Sequence, residues 1–181
     1  MLKKIFSVLL ISAVFLIGGC QNDSAEVNDN PSSAQASPVA SNIPTFTAKT
    51  ITGETVTNEI FAPKKITVVN IWGTFCPPCI AEMPELGEMA RNLPADAQII
   101  GLVCDASENS VQVQKAQKIL QEANANFVNI IPNEQLMKFM KNVEAVPTTI
   151  FINSKGEVVG TAIIGANVEG YKDELQKLLK K

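Results

Sequence analysis

Two cysteines separated by two residues, Cys76 and Cys79, are the clearest candidates for chemistry in this chain. They come directly after a continuous β-branched run at residues 65–72, which predicts a strand buried on both faces of a sheet, and before a helical pattern. A helix N-terminus offers unpaired N–H groups and a partial positive charge, which favour thiolate over thiol. The sequence therefore predicts a redox-active dithiol, in which exposed Cys76 attacks a disulfide and Cys79, one turn deeper, resolves the mixed disulfide.

The two residues between the cysteines are both prolines, Pro77 and Pro78. Proline fits the first helical turn, where its missing N–H costs little and its fixed backbone angle helps to start the helix. The same two residues withdraw two N–H donors from the Cys76 thiolate. We therefore expect the thiolate to be only moderately stabilised, which favours reductase or isomerase behaviour over strong oxidase behaviour.

Glu82 is the candidate acid/base of this pair. It lies three residues beyond Cys79, on the same face of the predicted helix, and would take the proton of Cys79 if it points inward. The alternative is a solvated helix carboxylate, since most glutamates are exposed.

Two other uses of the cysteine pair are a structural disulfide and half of a metal site. A disulfide that closes so short a loop gains little stability. A zinc site needs four ligands; Cys104 is one candidate, but the chain has no histidine and no second pair of this kind. Cys104 ends another apolar strand, a position more typical of a small buried hydrophobe. We expect no metal and no other cofactor.

The composition limits the remaining functions. With 181 residues, 46% of them hydrophobic, the chain fits one globular domain with short additional segments. Its net charge of -3, without clustered Lys or Arg, disfavours nucleic acid as a partner. The absence of histidine excludes Ser-His and Cys-His nucleophilic catalysis.

The N-terminal residues predict export and a lipid anchor. Residues 1–19 combine a positive start with a short apolar run, which is typical of a cleaved secretory leader; a retained signal anchor is the alternative. Cys20 follows Ile-Gly-Gly, and this string resembles the bacterial lipobox, whose cysteine is lipidated and becomes the mature N-terminus. That resemblance implies an extracytoplasmic protein, held to the bacterial cell membrane through Cys20. Residues 20–42 are polar and predict a flexible tether, so the folded domain is expected at residues 43–181.

From residue 43 onward the hydrophobic pattern predicts an α/β domain. Two short strands, at residues 44–49 and 54–57, are expected to form an N-terminal hairpin. The expected order after them is strand 65–72, helix 78–93, strand 98–104, helix 110–123, strand 127–131, helix 134–142, strand 148–153, strand 157–164 and helix 168–179. Strands that alternate with helices and end in an antiparallel hairpin predict a central mixed β-sheet flanked by helices.

Three motifs together resemble the membrane-anchored TlpA/ResA type of thioredoxin-like protein. They are WGTFCPPC at residues 72–79, Glu-Met-Pro at residues 82–84 and Val-Pro-Thr-Thr at residues 146–149. The resemblance implies a thioredoxin-like fold and thiol-disulfide oxidoreductase activity, with Glu82 as the acid/base. It also implies that the Val146-Pro147 bond is cis and lies beside the cysteines, where the Val146 backbone meets an extended substrate.

The same resemblance implies which side chains contact substrate. They are Trp72, Phe75, Pro77, Pro78, Val146 and Pro147. Phe75 departs from the family, which usually has Trp before the first cysteine, and this alters the substrate-facing surface. Asn70 occupies the place where cytoplasmic thioredoxins carry a buried Asp, and Gly73 stands where peroxiredoxins have Thr, which disfavours a peroxidase.

The resemblance further implies a reductase that receives electrons from an integral-membrane thiol carrier of the CcdA type and passes them to protein disulfides. The expected acceptors are apocytochrome c, a methionine sulfoxide reductase or mispaired disulfides. A disulfide-forming oxidase is the first alternative. A non-catalytic lipoprotein that binds metal or solute is the second; copper delivery of the Sco kind would need Cys-x-x-x-Cys and a distal histidine, which the chain lacks.

Overall fold

A computed structural model describes residues 39–181 of the chain. Within them lies one mixed sheet of seven strands in the order β2-β1-β5-β4-β3-β6-β7. The strands are β1 (Thr47–Thr50), β2 (Thr55–Thr57), β3 (Ile66–Trp72), β4 (Ala97–Val103), β5 (Val128–Ile131), β6 (Thr148–Asn153) and β7 (Val158–Ile164). Strands β3, β4 and β5 run parallel, whereas β6, β7, β1 and β2 join by antiparallel pairing.

Four α-helices and one 3-10 helix cover the two faces of the sheet. They are α1 (Pro77–Arg91), α2 (Val111–Glu122), α3 (Glu134–Phe139), α4 (Val168–Leu179) and the 3-10 helix Asn58–Phe61. Helices α1, α2 and α4 supply buried side chains to one apolar core, and α3 and the 3-10 helix supply them to the other. This mixed sheet between two helical layers confirms the predicted α/β fold class.

The central strand β3 is buried along its whole length, as its unbroken apolar pattern predicts. Because side chains alternate along a strand, Val68 and Trp72 enter the core beneath α1 and α4, while Val69 and Ile71 enter the opposite core. Asn70 shares the parity of Val68 and is also fully buried. The strand therefore places the polar side chain of Asn70 on the side of the sheet that α1 and α4 cover.

The chain enters the fold earlier than the sequence predicts. Residues 39–42 were expected to belong to the tether, but Val39 is buried and the Ser41 carbonyl accepts a hydrogen bond of 2.8 Å from Val158 N. Asn42 forms a bridge with Glu157, next to the turn between β6 and β7. The backbone hydrogen bonds and the buried Val39 attach this polar segment to the edge of the sheet, which corrects the predicted boundary.

Helix α3 is shorter than predicted. It ends at Phe139, not at residue 142, because the next residues turn back towards the helix: Met140 N bonds to Leu136 O and Val143 N to Met140 O. Periodicity alone does not detect this turn.

Within residues 39–181, no helix is both long and apolar enough to cross a membrane.

Candidate active site

Cys76 and Cys79 form a disulfide at the start of α1, with their Cα atoms 5.3 Å apart. Cys76 is the N-cap of the helix, and its Sγ accepts a hydrogen bond of 3.3 Å from Cys79 N. Pro77 and Pro78 occupy the first two helical positions, as predicted. Since neither proline has an N–H, the Cys79 amide is the first helical donor that can reach the Cys76 sulfur.

The attacking sulfur is less accessible than the sequence suggests. Cys76 is only 5% exposed, whereas the preceding Phe75 is 63% exposed. The prediction of an exposed Cys76 is wrong for this oxidised form, because the sulfur is engaged by Cys79 and lies 3.4 Å from Val146 O. The accessible surface around it belongs to Phe75 and the two exposed prolines, Pro77 and Pro78.

The loop that leads into α1 is fixed by a carboxylate from the neighbouring strand end. Asp105, just beyond β4, accepts hydrogen bonds from Thr74 N at 3.0 Å and from Thr74 Oγ1 at 2.6 Å. Next to Thr74, the ring of Phe75 folds back over Gly73, where an added Cβ would lie 2.5 Å from a ring carbon. A side chain at position 73 would therefore displace the exposed Phe75 ring from this contact.

Trp72 was expected to contact substrate, and its position corrects that expectation. The side chain is fully buried, and its Nε1 donates a hydrogen bond of 2.8 Å to Asn129 Oδ1 on β5. Gly101 on β4 leaves the space for this bond, since a Cβ there would lie 1.9 Å from Asn129 Oδ1. With no exposed surface, Trp72 supports the loop from below.

Glu82 points inward, beneath the cysteine pair, and is 5% exposed. Its Oε1 accepts a hydrogen bond of 2.9 Å from Asn70 Nδ2, and its Oε2 lies 3.0 Å from the Tyr171 hydroxyl. Burial raises the pKa of Glu82, an effect that the hydrogen bonds from Asn70 and Tyr171 oppose and that the charge of Glu85 reinforces. The solvated-carboxylate alternative is thereby excluded for this structure.

The partners of Glu82 come from three separate elements. Asn70 on β3 also donates to Thr149 Oγ1 at 3.1 Å, and the two residues are register partners of β3 and β6. Tyr171 comes from α4 and is fully buried; burial raises the pKa of its hydroxyl to about 12, so it remains a proton donor at neutral pH. The sequence analysis matched Asn70 to the buried Asp of cytoplasmic thioredoxins and included Thr149 in the Val-Pro-Thr-Thr motif, but it gave neither a role beside Glu82. It missed Tyr171, which lies in no motif.

The Val146-Pro147 peptide bond is cis, and the segment lies against the disulfide. Val146 is half-buried, and Pro147 is buried. On the other side of the segment, Gly165 N donates a hydrogen bond of 2.8 Å to Pro147 O. The loop between β7 and α4 therefore supports the segment that contacts Cys76.

Cys104, the third cysteine of the described residues, takes no part in the disulfide. Cys104 is free and half-buried, and burial together with the charge of Asp105 raises the pKa of its thiol to about 11. At neutral pH it is therefore a protonated thiol, not a nucleophile. Across residues 39–181, no group of three or more Cys, Asp or Glu side chains is arranged to hold a metal ion. Cys20, the predicted lipidation site, lies outside the described residues.

A thioredoxin-like fold that carries a Cys-x-x-Cys disulfide at the N-terminus of its first α-helix defines a thiol-disulfide oxidoreductase. The chain belongs to the Redoxin family, whose model matches residues 38–179. It is 31% identical over 148 residues to sporulation thiol-disulfide oxidoreductase A of Bacillus subtilis, covering 79% of this chain and 86% of that protein. It is 28% identical over 135 residues to the thiol-disulfide oxidoreductase ResA of Halalkalibacterium halodurans, covering 75% of this chain and 73% of that protein.

The fold is also found in solved structures. The crystal structure of StoA from Bacillus subtilis superposes with a TM-score of 0.59 at 22% identity, covering 75% of this chain and 99% of that one. The chain is therefore a thiol-disulfide oxidoreductase by fold, by cysteine pair and by relatives.

Proposed function

We propose that the protein is an extracytoplasmic reductase that transfers electrons from a membrane thiol carrier to the disulfides of protein partners. In the reduced enzyme, the Cys76 thiolate attacks one sulfur of the partner disulfide, and the other sulfur leaves as a thiolate that takes a proton from solvent. Cys79 gives its proton to a base and attacks the Cys76 sulfur, so that the Cys76-Cys79 disulfide forms and the partner's second sulfur leaves and is protonated in the same way. Two electrons pass from the enzyme to the partner.

Glu82 is the proposed acid/base for Cys79. Both side chains are buried and lie on the same face of α1, one turn apart. A carboxylate with a raised pKa matches the task, because it takes the proton of Cys79 when the mixed disulfide is resolved and holds that proton afterwards. Phe75, Pro77, Pro78, Val146 and the adjoining Pro147 form the proposed substrate contact.

The reductase direction rests on the donors available to Cys76. The two prolines leave the Cys79 amide as the N–H bonded to the sulfur, so the helix N-terminus stabilises the thiolate through few hydrogen bonds. A strongly oxidising pair requires a strongly stabilised reduced form. Few donors therefore favour a reducing pair.

The proposed location is the outer face of the bacterial cell membrane, with residues 1–19 as a cleaved leader and lipid on Cys20. The segment that follows the tether joins the sheet at Glu157, next to Asn153. Asn153 is the last residue of β6, and Thr148 is the first. Because Thr148 follows Pro147 at the active-site end, attachment and active site lie at opposite ends of the sheet. This separation leaves the cysteines open to a CcdA-type electron donor and to acceptors such as apocytochrome c, a methionine sulfoxide reductase or mispaired disulfides.

The reduction potential of the full-length chain tests the direction. The chain is equilibrated in glutathione and dithiothreitol buffers, and the Cys76-Cys79 disulfide is quantified after acid quench and alkylation; Cys104→Ser removes the free thiol as a control. A potential well below about -200 mV supports the reductase. A potential near about -120 mV, that of DsbA, would instead make the protein a disulfide-forming oxidase.

A further inference from the structure

The Tyr171 hydroxyl has four hydrogen-bonding neighbours, one of which is the Thr149 side chain, but only one proton. Asn167 N donates to it at 3.2 Å, the Gly165 carbonyl lies 2.8 Å away and Glu82 Oε2 lies 3.0 Å away. A carbonyl can only accept a hydrogen bond, whereas a carboxyl oxygen accepts when ionised and donates when protonated. The state of Glu82 therefore decides where the tyrosine proton goes.

With Glu82 protonated on Oε2, the contacts of Tyr171 with Glu82 and with the Gly165 carbonyl are both satisfied. Glu82 donates to Tyr171, and Tyr171 donates to the Gly165 carbonyl. With Glu82 ionised, the carboxylate and the Gly165 carbonyl compete for the single tyrosine proton, and the charged acceptor is the stronger one. Ionisation of Glu82 thus withdraws a hydrogen bond from Gly165.

Gly165 is also the residue that supports the substrate-contacting segment. Its N–H donates to Pro147 O at 2.8 Å, and the adjoining Val146 carbonyl lies 3.4 Å from Cys76 Sγ. A continuous set of contacts therefore leads from the carboxyl group of Glu82, through Tyr171 and Gly165, to the backbone beside the attacking sulfur.

We propose that Tyr171 is a positioning residue that couples the protonation state of Glu82 to the β7–α4 loop and, through Gly165, to the Val146-Pro147 segment. The coupling rests on the acid/base role of Glu82 given above. When Cys79 delivers its proton to Glu82, the tyrosine proton returns to the Gly165 carbonyl, and the hydrogen bond from Tyr171 to the loop re-forms. The loop beside the departing partner thereby responds to completion of the proton transfer.

The environment of Glu82 supports a titration within reach of solvent. The carboxyl group lines a cleft of about 370 Å³ between Pro78 and Ala81 on one side and residues 166–169 on the other. The charged groups that face the cleft are Glu85 from α1 and Glu169 from α4. Strands β3 and β6 contribute only the uncharged Asn70 and Thr149. This cleft, which Pro78 borders, gives the proton a route to solvent.

The chain contains a single tyrosine, so a tyrosine label reports on Tyr171 alone. The oxidised full-length chain, labelled with ¹³C at tyrosine Cζ and uniformly with ¹⁵N, is titrated by NMR. We expect the ¹³Cζ chemical shift of the tyrosine to show one inflection at a pH below the ionisation of the tyrosine itself. The chemical shift of the Ala166 amide should show an inflection at the same pH, because its peptide unit contains the Gly165 carbonyl. Both inflections should vanish in Glu82→Gln, and the Ala166 inflection should vanish in Tyr171→Phe. A tyrosine line that does not respond, or that responds equally in Glu82→Gln, would overturn the coupling.

Kinetics separate this coupling from the acid/base role on which it rests. The reduced full-length chain is mixed with insulin, and formation of the Cys76-Cys79 disulfide is followed across pH by acid quench and alkylation. Tyr171→Phe removes the hydrogen bond that stabilises ionised Glu82. The rate should therefore fall on the order of tenfold on the acidic limb of the pH profile, which is the equivalent of one hydrogen bond to a charged group, and it should recover at high pH.

Thr67→Val is the matched control, because it removes a buried hydroxyl that accepts from Gln98 at the other end of β3. It should leave the shape of the pH profile unchanged. A uniform fall at all pH values in Tyr171→Phe would reduce Tyr171 to a structural role and overturn the proposal. An acidic limb in Glu82→Gln that is identical to that of the original chain would instead refute the acid/base role of Glu82, while the tyrosine titration still decides the coupling.

Discussion

Phe75 is the side chain whose removal should separate protein substrates from small ones. It is 63% exposed beside the buried sulfur of Cys76, and its ring lies close to Gly73. An aromatic side chain offers about 200 Å² of surface, so roughly 125 Å² of Phe75 is free to be covered by a partner. At about 25 cal/mol per Å², complete covering is worth about 3 kcal/mol, and covering one ring face about half of that.

We therefore expect Phe75→Ala to raise the KM for insulin reduction on the order of tenfold, with kcat changed by less than about twofold. The rate with glutathione disulfide, which is too small to cover the ring, should change little. Phe75→Trp restores an aromatic surface and should keep the KM within about threefold of the original value.

The matched control is Val111→Ala, since Val111 is 72% exposed but lies at the start of α2, outside the site. It should leave both reactions unchanged. An equal loss of rate with insulin and with glutathione disulfide in Phe75→Ala would refute the assignment, because it would mean that Phe75 acts on the cysteines and not on the partner.

Three further predictions concern the groups beneath and beside the disulfide. Burial raises the pKa of Glu82 in the folded protein above the ordinary pKa of a glutamate in the unfolded chain. The oxidised protein should therefore lose stability as the pH rises through the interval between these two pKa values. The urea unfolding midpoint of Glu82→Gln should not show that decline. Asp105→Ala leaves the N–H and hydroxyl of Thr74 without their acceptor and should cost about 1–3 kcal/mol in urea unfolding, whereas retention of full stability would show that water replaces the carboxylate. Gly101→Ala places a Cβ 1.9 Å from Asn129 Oδ1 and should lower the free energy of unfolding by more than about 2 kcal/mol, with a changed fluorescence spectrum of the single tryptophan; an unchanged spectrum would contradict it.

The predictable part of the fold is the part whose signal is local. The β-branched run before the cysteines predicted the buried strand β3, and the prolines at positions 77 and 78 predicted the first turn of α1, because each pattern is written within a few residues. The final hairpin of β6 and β7 was predicted for the same reason, since apolar strands flank a short polar turn. The end of α3 was misplaced because it depends on a turn after Phe139 that periodicity does not encode.

The candidate site was predictable only along one helix. Spacing brought Glu82 under Cys79, but it could not reveal that Tyr171, 89 residues further along the chain, meets the same carboxyl group. The burial of Trp72 was equally hidden, because its partner Asn129 comes from a strand 57 residues away. The Trp72 contact depends on how β3, β4 and β5 are aligned in the sheet, and the Glu82–Tyr171 contact depends on the packing of α1 against α4; the sequence pattern specifies neither.

The strand parity of β3 and β6 explains why a polar cluster persists inside an otherwise apolar core. Asn70 and Thr149 are register partners that point to the α1 face, and Glu82 descends onto them from the helix. Asn70 Oδ1 has no hydrogen-bond partner among the described residues, and an unsatisfied buried acceptor costs about 1–3 kcal/mol. A leucine at position 70 would remove that cost, but it would also remove the donor that holds Glu82 Oε1 and would leave the carboxyl group against an apolar wall. The cluster therefore gives up some stability for a carboxyl group that is fixed in place and whose pKa is raised by burial. These are the properties that a proton acceptor for Cys79 requires.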